Sequence, residues 1–475
     1  MERVNTYVED NAERFIEELK EFCRQPSIST QNVGLEEMAE LVRARLERLG
    51  AEVRLIPVAD GPPVVFAETS ASGSAEDIRL SSVEALTAEA SVEPLGQGER
   101  TLLFYNHYDV QPPDPLEEWE SPPFEPTIRE GKLYARGAAD NKGNLMVRIQ
   151  AIEAYRAAFG ELPLRIKFVV EGEEEVGSPH LAQFAQENRD LLAANGCLWE
   201  SGGKDEAERF VIYLGLKGIA YLELRAKGAK SDLHSSYATI VPNPAWRLVW
   251  ALSTLKDEDD RITIDGFMDH VVEPSAAEMN ILEAIPFEEE KIKENFGIPE
   301  FIQRLSAVQA LKKHLYEPTC TICGFRSGYI EEGSKTVLPS TATAKLDFRL
   351  VPNLTPELVE QLLRQHLDLR GFQDIEIAFG VGEHSARAPL DTPIVQAAVA
   401  AAEAVYGQQP VVYPTMAGSG PMYPLSEALT IPAVLAGIGY PGANVHAPNE
   451  NIRLADYFEG IRYIGELIRR FGAAE

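Results

Sequence analysis

Apolar residues along this chain come in two textures. The first is the short continuous run: T-L-L-F-Y-N at 101–106, L-R-I-K-F-V-V at 164–170 and I-P-A-V-L-A-G-I at 431–438. Each reads as a strand bounded by polar residues. Between the first two, Leu145, Ile149 and Ile152 recur at i, i+4, i+7, one face of a helix over 142–158. Strand–helix–strand order predicts a largely parallel sheet. In such sheets ligands bind beyond the carboxyl ends of the strands. The second texture is alternation. G-I-A-Y-L-E-L-R-A-K at 218–227 and T-A-T-A-K-L-D-F-R-L at 341–350 have the period of half-buried antiparallel strands, with a helix-rich acidic stretch at about 244–316 between them. Residues 1–66 read as two helices and a strand, and 68–99, rich in Ser, Ala, Glu and Gly, as an exposed excursion of weak order. The expected fold is α/β: a mostly parallel sheet with helices on both faces, formed by 1–216 and 386–475. An α+β domain with an antiparallel sheet is inserted at 217–385.

Composition narrows the class without naming a function. At 475 residues the chain is too long for one ordinary core. Its hydrophobic and charged shares, 45% and 25%, are those of a globular protein. A net charge of −30 argues against nucleic acid or an anionic membrane as partner, since both would repel it. No stretch approaches the roughly 20 apolar residues needed to span a bilayer, and the acidic, amphipathic start, without an apolar core, does not read as a signal peptide. Four cysteines make no disulfide framework; Cys320 and Cys323 sit in a strand-like run and read as structural. A reduced, cytoplasmic protein is expected.

Chemistry gathers where the apolar runs end. His107 and Asp109 follow the first run in Y-N-H-Y-D-V. Residues i and i+2 of an extended segment point the same way, so Asp109 can accept the ring N–H of His107 and fix its tautomer. Asp140, in A-R-G-A-A-D-N-K-G, precedes a helix, where taken alone an N-cap is the commoner role. Glu174 and Glu175 lie in E-G-E-E-E-V-G-S, where four carboxylates repel one another unless something positive sits among them. The plain alternative is a solvated acidic turn. His446, in A-N-V-H-A-P-N-E, and His234, in S-D-L-H-S-S, are loop histidines, a type usually just exposed. Two imidazoles with several carboxylates and no thiolate suit a pair of divalent metals sharing a carboxylate. Such a pair makes water a nucleophile at neutral pH, so the pattern points to a two-metal hydrolase. One of the paired glutamates would bind metal and the other act as general base.

Taken in order, H-x-D, R-G-A-x-D-x-K-G and E-G-x-E-E-x-G-S resemble the aminoacylase–carnosinase–carboxypeptidase G family of di-zinc metallopeptidases. The likeness runs from about residue 10 to the C-terminus, apart from 68–99. Within the family, G-L-K-G-I-A-Y-L-E-L, K-T-V-L-P-S and D-F-R-L-V-P-N are most similar to the cytosolic nonspecific dipeptidase branch. The resemblance implies Asp140 as bridging ligand, His107 and Glu200 completing one metal site, and Glu175 and His446 the other. It implies Glu174 as general base. The metals would be two zinc ions per subunit, with manganese or cobalt as alternatives. The inserted domain would be a lid and dimerisation domain, and His234 would reach the substrate carbonyl from the partner of a homodimer. Arg349 would hold the terminal carboxylate of a small peptide, as a guanidinium can; its plain alternative is an ordinary strand arginine. Gly418 and Ser419, in G-S-G-P, resemble the branch's substrate-binding loop. The alternative substrate is an N-acyl-amino acid, cleaved by the same metal chemistry in a deacylase.

Overall fold

The computed structural model describes residues 1–69 and 100–473, so all but the start of the 68–99 excursion lies outside the described residues. Glu68 and Thr69 close the strand Val64–Thr69. The chain divides into two compact units. The first comprises Met1–Gly215, Ala388–Tyr413 and Pro424–Glu475; the second comprises Leu216–Arg387 and Pro414–Tyr423. Pro414–Tyr423 is thus a second excursion into the inserted unit, in a stretch the sequence reading kept whole.

The first unit is built on a nine-stranded mixed sheet. Its centre is parallel: Thr101–His107 lies between Arg165–Glu171 and Gly196–Trp199, and Gly196–Trp199 pairs in turn with Ala433–Leu435. Antiparallel strands Val64–Thr69 and Glu52–Ile56 extend one edge. All seven residues of Thr101–His107 are buried, so this strand is covered on both faces. That explains its unbroken apolar run, since only a one-sided strand alternates. The helix Lys142–Phe159 is buried over most of its circumference, from Lys142 to Ile152 without a gap. It packs against the sheet, the N-terminal helices and the C-terminal helix Leu454–Ala473. Three apolar positions therefore understated how deeply it lies.

The N-terminal region differs from expectation. It holds three helices, Glu2–Asp10, Ala12–Arg24 and Leu35–Glu47, and two strands. The opening amphipathic run breaks at Asn11, whose backbone leaves helical geometry (φ −110°, ψ 10°) while the apolar face continues on both sides. His107 is the last residue of its strand rather than the first beyond it.

The second unit carries a four-stranded antiparallel sheet in the order Thr321–Ser327, Thr341–Leu350, Gly218–Lys227, Glu376–Glu383. Both alternating segments are strands over their whole expected lengths. Their buried positions, including Leu222, Leu224, Leu346 and Phe348, face the helices Pro244–Leu252 and Pro356–Leu369. The other face carries Arg349, opposite Ile219. Cys320 is buried just before its strand, Cys323 is exposed within it, and both are free thiols.

Candidate metal centre and active site

Three strand ends and one loop of the first unit converge on Asp140. His107 ends one parallel strand, and Glu200 follows directly on Trp199 at the end of its neighbour. Glu174 and Glu175 form the single turn Glu174–Val176 just beyond Glu171, the end of a third strand. His446 sits in the loop between Ala433–Leu435 and Asn451–Arg453, at a positive φ of 61°. The two carboxylate oxygens of Asp140 each meet one imidazole: His107 Nε2 is 3.0 Å from Oδ1, and His446 Nε2 is 3.1 Å from Oδ2. His446 Nε2 is also 3.1 Å from Glu175 Oε2, and His107 Nε2 is 3.4 Å from Glu200 Oε2. Asp140 does not cap the helix behind it, whose N-cap is Asn141 with no side-chain cap bond.

Asp109 orders this cluster from beneath. It is fully buried. Its Oδ1 lies 3.3 Å from His107 Nδ1, and its two oxygens accept the backbone N–H groups of Glu174 (3.2 Å) and Glu175 (3.1 Å). One carboxylate thus turns Nε2 of His107 towards Asp140 and fixes the turn that carries both glutamates. The neighbouring acidic residues separate by partner. Glu171 is buried and accepts from Tyr105 and from Ser178 Oγ (2.8 Å). Glu173 pairs with His180 Nδ1 at 2.7 Å. Glu175 takes His446 and the amide of Gln111 (2.9 Å). Four carboxylates in five residues are therefore not one solvated turn.

The site concentrates buried negative charge. Burial pushes Glu174 up to about 7, with Asp140, Glu175 and Asp109 adding to the rise and His107 opposing it. Burial and the charge of Glu174 likewise drive Glu200 well above the usual carboxylate range. Hydrogen bonds to Asp140 and Glu175 carry His446 up to about 10. Burial alone would lower His107, yet Glu200, Asp109 and Asp140 hold it well above its ordinary value. One oxygen, Glu200 Oε2, is buried and has no hydrogen-bond partner among the described residues. A buried lone pair beside two imidazoles and three further carboxylates is a donor set that fits divalent cations. His107, Asp140 and Glu175 each offer an atom within 4.8 Å of the others.

Three residues that sequence reasoning did not single out hold this cluster in place. Arg148, buried on the helix beneath, donates to the carbonyls of Tyr105 and Trp199 and to Asn106 Oδ1 (2.7 Å). It thereby ties together the strand ends leading to His107 and Glu200. Asn141 joins Asn106 to the carbonyl of Glu200 (3.1 Å). Glu450, four residues after His446, gathers the turn before Asp140. No local pattern marks such residues, because a buried arginine or glutamate is written in the sequence like a solvated one.

The remaining expected residues belong to the second unit. Arg349 Nη1 donates to Ser419 Oγ at 3.0 Å, and Ser419 Oγ donates to the carbonyl of Gly218 at 2.9 Å. The Gly418 carbonyl accepts from Lys217 N–H. The arginine thus has a hydroxyl partner beside the Asp347 carboxylate, which lies 3.3 Å from its Nε. His234 is exposed, with Nδ1 taken by Ser236.

The chain is similar to known proteins over most of its length. The family described as Peptidase family M20/M25/M40 matches residues 103–470. The Beta-Ala-His dipeptidase of Homo sapiens is 28% identical, over 97% of this chain and 91% of its own length. The Cys-Gly metallodipeptidase dug1 of Schizosaccharomyces pombe is 26% identical, over 98% of each. Among solved structures, the M20 family metallo-carboxypeptidase Sso-CP2 from Sulfolobus solfataricus is 37% identical with a TM-score of 0.84, covering 97% of this chain and 99% of that one.

Proposed function

The chain belongs to Peptidase family M20/M25/M40 and is a peptide-hydrolysing enzyme, and from that premise we propose that it is a two-metal dipeptidase cleaving dipeptides or short peptides with a free C-terminal carboxylate. The observation that carries the reading is the pair of imidazoles at 3.0 and 3.1 Å from the two oxygens of one carboxylate, Asp140. His107 and Glu200 would complete one metal site, Glu175 and His446 the other, with Asp140 shared. Zinc suits these donors, and manganese or cobalt would fit them too. Bound there, the metals supply Lewis acidity and lower the pKa of water.

The chain's own groups carry the protons. Glu174 shares the backbone cradle of Asp109 with Glu175, yet its carboxylate has no imidazole partner among the described residues, and it is the free base of the pair. It takes a proton from the attacking water and delivers it to the leaving amine. His234 donates to the carbonyl oxygen as negative charge develops. Arg349, braced by Ser419, holds the terminal carboxylate by charge-assisted hydrogen bonds. The dipeptidase names of the two curated relatives support a dipeptide over a longer peptide. A homodimer, with His234 supplied in trans, is supported by apolar side chains left exposed on the second unit, among them Ile240 (78%), Trp246 (59%) and Trp250 (55%). Four free cysteines are consistent with a cytoplasmic setting.

The test is hydrolysis of a mixed panel of dipeptides and N-acyl-amino acids by metal-reconstituted protein, with Glu174→Ala alongside. Release of free amino acids from dipeptides, lost in the variant, is the expected result. Cleavage of acyl-amino acids alone would make the enzyme a deacylase. Cleavage of neither by protein with metal bound would overturn the reading.

A further inference from the structure

Asp140 is asked to stand between two imidazoles, yet it lies in a turn with no helix or strand to hold it. The turn is instead gathered from behind by one side chain. Glu450 is fully buried. Its Oε2 accepts from Arg136 Nη1 (2.8 Å) and from the backbone N–H of Gly137 (2.9 Å). Its Oε1 accepts from the N–H of Ala139 (2.8 Å) and of Asp140 itself (3.0 Å). Four donors converge on two oxygens, three of them main-chain groups within four consecutive residues. Gly137, at a φ of 82°, supplies the bend that aims those groups inward. The partner guanidinium is equally buried, and its second arm bonds the carbonyl of Pro112 at 3.0 Å.

Glu450 also shares a loop with His446. The carbonyl of Glu450 accepts the N–H of Ala135, and Asn451 begins a strand that pairs with Lys132–Tyr134. One short stretch therefore presents an imidazole to Asp140 from the front and clamps its backbone from behind. We propose that Glu450 is a positioning residue that sets Asp140 midway between His107 and His446, and so sets the spacing of the two-metal site. It touches neither metal nor substrate. The inference rests on the two-metal reading given above.

The chemistry of the side chain makes the proposal testable. A carboxylate has four acceptor lone-pair sites and no donor, which matches four N–H groups. In Glu450→Gln the size is kept but one end becomes NH₂. Whichever way the amide turns, its NH₂ faces two N–H donors, and that side of the turn is pushed away. Glu450→Asp keeps charge and acceptors but withdraws them by one methylene. Metal-free wild type and both variants would be titrated with Zn²⁺ against a competing chelator, with melting curves of the metal-free proteins and separate kcat and KM values. The expected result for Glu450→Gln is a cooperative melt, Zn²⁺ affinity weaker by about 10–100-fold, and a fall in kcat with KM little changed. Glu450→Asp should lie between it and wild type. A merely structural Glu450 would lower the metal-free melting temperature and leave the Zn²⁺ isotherm of the folded molecules unchanged, and that result overturns the proposal. Should the Gln variant fail to fold, the Asp variant decides on the same isotherm. Wild type that binds no divalent metal would instead defeat the two-metal reading, so the two failures are distinguishable.

Discussion

Glu174 and Glu175 are neighbours on one turn, with N–H groups held by one carboxylate, yet their side chains meet different surroundings. Glu175 finds His446 and Gln111; Glu174 is half-buried, and that burial, with Asp140, Glu175 and Asp109 nearby, lifts it to about 7. A base is useful only when ionised, and bound cations pull a carboxyl down. The acid limb of kcat/KM is therefore expected below pH 7, with rate lost as pH falls through it. Glu174→Ala should lower kcat by about 10²–10⁴ while metal content, measured by elemental analysis, stays at the wild-type level. Arg349 is tested differently. Arg349→Met removes a charged donor from a site already braced by Ser419. It should raise KM for dipeptides by about tenfold or more, the scale of a charged hydrogen bond, with metal content unchanged. An unaltered KM would return Arg349 to the class of structural strand residues.

At the scale of elements, the site depends on where parallel strands stop. Thr101–His107, Arg165–Glu171 and Gly196–Trp199 are adjacent and parallel, so their carboxyl ends deliver His107, the Glu174–Glu175 turn and Glu200 to one edge. The packing beneath is what keeps those ends in register. Phe104 and Phe168 pair across two of the strands, with ring centroids 5.2 Å apart, and both are fully buried. Phe168→Ala should destabilise the protein by about 3–5 kcal/mol, the usual cost of emptying such a volume, read by chemical denaturation. The antiparallel sheet of the second unit follows other rules. Helices cover one of its faces, so its strands alternate, and the alternating face leaves Arg349 available for chemistry.

For the molecule as a whole, the buried acidic residues tie stability to pH. Burial lifts Glu171 up to about 8, against hydrogen bonds from Tyr105 and Ser178 that favour the ionised form. Its ordinary value is 4.5, so between those two values the folded protein holds a proton that the unfolded chain has released. Stability from this group is complete below 4.5 and is lost as pH rises through 8. Melting temperatures of the metal-free protein should fall across that window, and Glu171→Gln should flatten the fall. A slope of equal size in the variant would assign the effect to other groups.

Much of this protein is legible locally. Unbroken apolar runs, alternation and a 3.6-residue period are each consequences of how many faces an element buries. They marked the parallel core, the antiparallel strands at 218–227 and 341–350, and the helix after Asp140. The motifs marked His107, Asp109, Asp140, Glu174 and Glu175, because charged residues clustered at apolar strand ends are hard to explain without a counter-charge. Where a helix breaks along a continuous apolar face, as at Asn11, periodicity gave no sign. Nor could it show that Pro414–Tyr423 goes with the second unit. The buried clamps were hidden for a deeper reason. Arg148, Asn141 and Glu450 act on residues up to 314 positions away, as Glu450 does on Arg136. A residue type fixes which hydrogen bonds can be made, but only the folded backbone decides which donors reach an acceptor. The sequence alone determined which chemistry was available and at which strand ends it stood. The tertiary structure decided which groups meet at Asp140, which neighbouring carboxylate lacks an imidazole partner among the described residues, and what holds them there.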